Sequence, residues 1–396
     1  MNTLTMLNSH KALKQELTTI RRDIHQHPET AFVEVRTADI VAEYLQKWGL
    51  KIHRGLAETG VVGTLKRGAS EKTIGLRADM DALFIQEENT LPYKSVHEGV
   101  MHACGHDGHT AMLLGAARYF SEHDEFDGTI HFIFQPAEEN EGGARVMMEQ
   151  GLFEKFPCDA VYALHNMPGF ELGTFAIRSG SFMASSDTWS VTFRGSGGHG
   201  SQPHLCTDAT VAAAHFITSL QTIVSRNVHS IEPGVISVGY ISGGSANAPN
   251  IIPAEVVVKG TARSFSPPIR DLIERRMGEI ADSVAKTFQL DADYHYLRRY
   301  PPLVNHAAQT ETAIKAAEKL VAKSCVLADV EPFCGAEDFA FMLEKVPGAY
   351  IFIGNGMGKP KQHLHAPCYD FNDDLIVYGV AYWIELIKAE LPLQEA

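Results

Sequence analysis

The stretch Thr129-Ile130-His131-Phe132-Ile133-Phe134-Gln135-Pro136-Ala137-Glu138-Glu139 leads from an apolar β-type run into two adjacent carboxylates. Open α/β sheets place their sites at the carboxyl ends of strands. Neighbouring side chains at a strand end point in different directions. One carboxylate can then hold a metal ion while the other stays free to handle protons. The same pair also suits an acidic turn that opens a helix, where the helix dipole favours negative charge.

Outward from this stretch, strands and helices alternate. Strands are expected over 61–65, 73–80, 129–135 and 160–166, and helices over about 109–120 and 142–150. That alternation predicts an α/β sheet with helices on its faces. Towards the start, Leu13, Leu17, Ile20 and Ile24 form one helical stripe that Pro28 ends. A second helix is expected with Thr37 as N-cap, burying Ile40, Val41, Tyr44, Leu45 and Trp48 and stopping at Gly49.

The pattern changes near Gly180. Strands at 188–193, 235–241 and 256–262 surround long helices at about 208–225 and 269–288, an α+β unit of small-domain size. After Tyr300 the α/β pattern returns, with a helix near 310–323, a strand at 349–354 and a last helix at 374–389. The expected architecture is a discontinuous α/β catalytic domain, 1–180 and 294–396, with a central, mostly parallel sheet. A smaller α+β domain, 181–293, is inserted in it. Gly180 with Ser181, and the stretch 291–294, are the expected hinges.

A length of 396 residues also favours two domains. Hydrophobic residues make up 45% and charged residues 21%, which fits a globular chain. Lys and Arg number 34 and Asp and Glu 48, a net charge of −14, which argues against a nucleic-acid partner. The start shows no basic segment followed by an apolar stretch, and no run reaches the ~20 apolar residues of a membrane span. The expectation is therefore no signal peptide and no membrane partner. Cys104, Cys158, Cys206, Cys325, Cys334 and Cys368 form no CxxC pair, which reads as a reducing cytoplasm.

The densest chemical cluster is Met101-His102-Ala103-Cys104-Gly105-His106-Asp107-Gly108-His109. A thiolate and an imidazole one residue apart can bind one ion or bridge two. Asp107 could fix an imidazole tautomer from behind, and Asp79 and Asp81, alternating on a strand end, could orient ligands in the same way. His165 closes an apolar run, and His363 and His365 lie near another. Taken together, Cys104, His106, Glu139, His165 and one of the last two histidines sit at strand ends that converge on one edge. Five such ligands suit two ions sharing a bridging group or water, an arrangement used for hydrolysis.

Ten segments together resemble one family, the metal-dependent amidohydrolases of the aminoacylase and carboxypeptidase superfamily. They are His25-Gln26-His27-Pro28-Glu29, Arg77-Ala78-Asp79-Met80-Asp81-Ala82-Leu83, the 101–110 cluster, Gln135 with Glu138-Glu139, Leu164-His165-Asn166, Gly197-Gly198-His199-Gly200, Asn250-Ile251-Ile252-Pro253, Gly260-Thr261-Ala262-Arg263, Gly335-Ala336-Glu337-Asp338-Phe339 and His365-Ala366-Pro367. Their order matches the branch of hippurate hydrolases, N-acyl-amino-acid amidohydrolases and auxin-conjugate hydrolases. The resemblance implies Glu138 as general base and Cys104, His106, Glu139, His165 and His365 as ligands of two divalent ions. It favours His365 over His363 because the ligand stands two residues before the proline. It implies that His199 meets the reacting carbonyl or the substrate carboxylate, that Asn250 and Arg263 hold that carboxylate, and that the insert is of the lid or dimerisation type. Phe84 departs from the family, which usually has proline after Asp-Ala-Leu, and bears on substrate choice.

The implied reaction is hydrolysis of a small N-acyl amino acid to a carboxylic acid and a free amino acid. A dipeptidase or metallocarboxypeptidase would use the same centre. A binding protein would have no use for a second carboxylate, Glu138, beside Glu139, and a Cys104 nucleophile with His106 as base would leave the carboxylates without a role. Mixed S, N and O donors fit Zn²⁺, Mn²⁺, Co²⁺ or Ni²⁺. A homo-oligomer is compatible with all of this.

Overall fold

Every residue of the Gly128–Gln135 strand is buried, as a central strand covered on both faces requires. The computed structural model describes residues 2–139, 141–358 and 362–393. The strand lies third in an eight-stranded sheet ordered Lys51–Leu56, Gly60–Arg67, Gly128–Gln135, Thr73–Asp79, Ala160–Met167, Gly348–Gly354, Phe175–Ala176 and Val326–Leu327. Thr73–Asp79 runs parallel to both Gly128–Gln135 and Ala160–Met167, and Gly348–Gly354 runs parallel to Ala160–Met167. Antiparallel pairs join the Lys51–Leu56 and Gly60–Arg67 strands to the edge. The fold is α/β with a mostly parallel central sheet. Because the four central strands point one way, their carboxyl ends share one edge. Asp79 pairs in register with Gln135 at that edge.

The His106–Glu122 helix packs on three of these strands and on the Lys11–Gln26 and Leu375–Glu390 helices. A Cβ on Gly379 would lie only 1.9 Å from Met112 Sδ, so glycine permits the close crossing of two of these helices. Leu17, Ile20, Ile24, Leu113, Phe120 and Trp383 are buried in this core. Each contributes on the order of 2 kcal/mol through the water it leaves.

The second long helix, Val35–Lys47, starts earlier than expected, and Thr37 lies inside it instead of capping it. Glu29 in the preceding loop does that work, accepting from Arg36 N at 2.9 Å and Thr37 N at 2.8 Å. The Lys51–Leu56 strand carries no apolar alternation, because it is an exposed edge.

The chain divides into two compact units. The first is Met1–Gly180, Val304–Glu331 and Asp338–Ala396, and the second is Ser181–Leu303 with Pro332–Glu337. The boundary expected after residue 293 is thereby moved. Residues 291–294, read from the sequence as a hinge, open the Asp291–Tyr300 strand, which pairs along Ser186–Arg194.

The second unit is a four-stranded antiparallel sheet ordered Gly234–Gly243, Glu255–Ser264, Ser186–Arg194 and Asp291–Tyr300. Burial alternates along Ser186–Arg194, with Asp187, Trp189, Val191 and Phe193 inside. The Ala209–Thr222 and Pro267–Thr287 helices pack on that buried face. Asp187 is the charged exception, held by Arg270 at 2.6 Å and by the Tyr296 hydroxyl at 2.8 Å.

Candidate metal centre and active site

The carboxyl ends of the parallel strands gather the expected ligands. The Cys104 thiol, His106 and His165 offer ligand atoms within 4.8 Å of one another, and so do Cys104, Glu139 and His365. Cys104 belongs to both sets. His365 adopts the left-handed conformation, φ 62°, and its N–H donates to Ala103 O at 2.8 Å, which ties it beside Cys104. Its Nε2 lies 3.0 Å from Glu139 Oε1. Among the described residues His363 enters no such set.

Two of the expected ligand imidazoles, His106 and His165, have their tautomers fixed from behind. His106 Nδ1 lies 2.9 Å from the Asp81 carbonyl and 3.1 Å from Asp81 Oδ1, so it carries the proton and donates. His106 Nε2 is then the nitrogen left for an ion, buried and without a hydrogen-bond partner. His165 Nδ1 donates to Asn166 O at 2.6 Å, which leaves its Nε2 lone pair facing Cys104 Sγ at 3.3 Å. Two buried imidazole nitrogens that face one place beside a thiol and a carboxylate fit a transition-metal ion.

His109 is different. Its Nδ1 donates to Asp79 Oδ1 at 2.6 Å, and its Nε2 accepts from Asn166 N at 3.0 Å. Both nitrogens are used, so His109 braces the site. Asp79 thus orients His109, with its other oxygen 2.7 Å from Arg77 Nη1. Asp107, expected behind a ligand, instead lies 2.9 Å from His25 Nδ1 and 3.2 Å from Arg21 Nη1. One step along a helix turns a side chain away from its neighbour's face, so Asp107 and His106 serve different partners.

Electrostatics agree with a cation at this place. Burial pushes the Cys104 thiol well above its usual range, and Glu139, Glu138 and Asp79 push it further. A nucleophilic cysteine needs the reverse, so the cysteine-hydrolase alternative loses its support. Burial and the nearby histidines His109 and His106 hold His165 neutral, as a ligand must be. Burial opposes protonation of His106, but Asp79, Asp81 and Glu139 outweigh it and raise its pKa to about 10. An ion bound there would replace that proton.

A model of Peptidase family M20/M25/M40 matches residues 75–389. The chain belongs to this family. It is 41% identical over 374 residues to a hippurate hydrolase of Campylobacter jejuni, covering 94% of this chain and 96% of the relative. An N-acetyl-L-cysteine deacetylase of Bacillus subtilis is 38% identical, covering 97% and 90%. A Bacillus subtilis structure described as a dinuclear metal binding peptidase from M20 family superposes with a TM-score of 0.83 at 31% identity, covering 95% and 98%. This M20 chain is accordingly a hydrolase of amide bonds.

Several residues that support the M20 site escaped the sequence reading. Asn166 Nδ2 donates to Cys104 O at 2.6 Å, and the Tyr369 hydroxyl donates to Asn166 Oδ1 at 2.6 Å. Gly105, between two expected ligands, has φ 98°, and a Cβ there would stand 2.2 Å from Asn166 Nδ2. Arg77 joins Gln135 at 2.8 Å and Asp338 at 3.0 Å, pinning the strand end that leads to Glu138. Asn166, Gln135 and Asp338 stood inside the quoted motifs, but no spacing rule marked them as braces. Phe84 is 80% exposed, one residue past Leu83, whose backbone pairs with Met101.

In the second unit, His199 pairs with Ile251, and Gly200 N donates to Asn250 O at 2.7 Å. His199 and Asn250 are therefore neighbours. Arg263 is not near them. It sits towards the Ser185 end of the four-stranded sheet, with Nη1 3.4 Å from Ser185 O, whereas the chain to His199 leaves from the Arg194 end. The intervening strand separates these ends by roughly 25 Å. A single carboxylate cannot be held by both Asn250 and Arg263 of one chain, which corrects that expectation. No helix among the described residues is long and apolar enough to cross a membrane.

Proposed function

We propose that the chain hydrolyses the amide bond of N-acyl amino acids to a carboxylic acid and a free amino acid at a pair of divalent ions. The observation that carries this reading is the two ligand sets that share Cys104. Cys104, His106, Glu139, His165 and His365 would hold the ions. The activities of the hippurate hydrolase and the deacetylase support an N-acyl substrate in place of a free peptide.

Ions held there supply positive charge that polarises the amide carbonyl and acidifies water. Glu138 takes a proton from the attacking water and passes it to the leaving nitrogen, so the C–N bond breaks to a neutral amine. It is buried beside Glu139, where its proton is not lost to bulk water. Asp81 holds His106 and the Glu139 backbone so that neither moves during the reaction. His199 would stabilise charge on the reacting carbonyl oxygen, and Arg263 would bind the substrate carboxylate through its fork of N–H groups.

His199 and Arg263 stand too far apart within one unit to touch the same small molecule. We therefore assign a complete site to two copies of the chain, one supplying His199 with Asn250. The exposed Val235, Tyr240 and Ile241 on the edge strand Gly234–Gly243 support self-association. Mixing inactive His199→Ala and Glu138→Gln proteins tests this. Recovered activity is expected from mixed dimers, and none would appear if each chain used only its own residues.

The substrate reading is tested by a panel of N-benzoyl, N-acetyl and N-indolylacyl amino acids against dipeptides, with Zn²⁺, Mn²⁺, Co²⁺ or Ni²⁺ added back. Dipeptides turned over faster than every N-acyl amino acid would replace it with a peptidase. Six cysteines without a disulfide support a reducing, cytoplasmic setting.

A further inference from the structure

Glu34 is fully buried and stands 103 residues before Ala137 in the chain. Its Oε1 accepts from Ala137 N at 2.9 Å, and its Oε2 accepts from the Thr59 hydroxyl at 2.6 Å. Ala137 has φ 57°, a left-handed conformation that L side chains disfavour. It immediately precedes Glu138 and Glu139. A non-glycine residue keeps such a conformation only when its surroundings hold it there.

The rest of that turn is tied as well. The Pro136 carbonyl accepts from Gln135 Nε2 at 3.2 Å, the Ala137 carbonyl accepts from Gly143 N at 2.9 Å, and Glu139 N donates to Asp81 Oδ2 at 2.9 Å. Glu34 holds the one remaining backbone group at the strained residue. Burial pushes its carboxyl up to about 7, against the pull of the hydrogen bonds from Thr59 and Ala137. An apolar side chain would fill this buried place without that desolvation, so the hydrogen bond to Ala137 is the property that only Glu34 brings.

We propose that Glu34 is a positioning residue for the reaction, holding Ala137 N–H so that the left-handed turn aims Glu138 and Glu139 in their separate directions. This rests on the roles given above to Glu138 and Glu139. Thr59 belongs to the same device, because its hydroxyl fixes the second carboxylate oxygen. Glutamine can replace Glu34, since its carbonyl can accept from Ala137 N while its amide donates to Thr59. Alanine cannot.

The test compares Glu34→Ala, Glu34→Gln and Thr59→Ala with the wild type, all saturated with Zn²⁺. Misplacing a reacting group by about 1 Å can cost on the order of 100-fold. Glu34→Ala should lower kcat by roughly 10- to 100-fold with KM within about twofold, while Glu34→Gln should stay within about threefold of wild type. Wild-type kcat in Glu34→Ala, or equal impairment of the glutamine variant, would overturn the proposal. If Glu34→Ala does not fold, Thr59→Ala decides, with a several-fold loss of kcat at unchanged KM expected and no loss overturning it. Crystal structures of the Zn²⁺-loaded Glu34→Gln and Thr59→Ala proteins give a readout independent of turnover. The left-handed φ at Ala137 should persist in the first and be disturbed in the second. An undisturbed turn in Thr59→Ala would overturn the proposal even if the wild type cleaves no N-acyl amino acid, a result that would remove only the substrate reading.

Discussion

Asp81 and His106 meet twice, with His106 Nδ1 at 2.9 Å from the Asp81 carbonyl and 3.1 Å from its Oδ1. The second carboxylate oxygen of Asp81 accepts from Glu139 N at 2.9 Å. One side chain thus orients two expected ligands from different elements. In Asp81→Asn the amide can serve His106 or Glu139 N, but not both, because its NH₂ meets a donor on the other side. Metal affinity should fall about 10- to 100-fold, the usual effect of losing a ligand's supporting hydrogen bond. Competition with a chelator measures it, and unchanged affinity would show that the backbone carbonyl alone suffices.

Glu138→Gln should keep its metal and lose turnover by on the order of 100- to 10,000-fold, the usual worth of a positioned acid or base. The side chain adjoins a ligand and can itself reach the set formed with His106 and Glu139. Metal analysis separates the two roles. Full metal with little activity supports proton transfer, whereas lost metal makes Glu138 a ligand.

Cys104→Ser should weaken metal binding and activity together, since Cys104 is common to both ligand sets. A serine hydroxyl stays protonated where a coordinating thiol gives up its proton. The loss should exceed the roughly 10- to 100-fold typical of an outer partner. Stoichiometric metal and normal kinetics in the variant would remove Cys104 from the centre.

Stability should fall above neutral pH because of His25. Burial opposes its charge, but the hydrogen bonds to Asp107 and Glu87 outweigh this and raise its pKa from 6.5 to about 9. The folded state therefore holds the proton more tightly than the unfolded state. The resulting stabilisation is fully present below 6.5 and is lost as pH rises through about 9. It amounts to on the order of 3 kcal/mol at about 1.4 kcal/mol per unit. Thermal unfolding of the wild type should show this decline between those values, and His25→Gln should be less stable at pH 6 and lack the slope. A wild-type curve flat across that range would contradict the assignment.

The sequence by itself determined the fold class and the family, because both rest on local signals. The apolar run before Glu138 and Glu139 read as a strand, and ten short motifs in order resembled one family. It also pointed to Cys104, His106, Glu139, His165 and one of His363 and His365 as candidate ligands, since ligand side chains are few in kind, while the preference for His365 came from the family resemblance. The tertiary structure decided what local patterns do not encode. Glu29 displaced Thr37 as the cap of its helix because a carboxylate from another loop reached the same N–H groups. The Asp291–Tyr300 strand joined the second unit because its partner, Ser186–Arg194, lies about a hundred residues away in sequence. Asp107 turned to His25, Asp81 took His106, and Glu34 reached Ala137. The physical reason is the same in each case. A ligand is recognised by its own chemistry, but a hydrogen-bond partner is chosen by proximity, and proximity exists only once the strands have paired and the helices have packed.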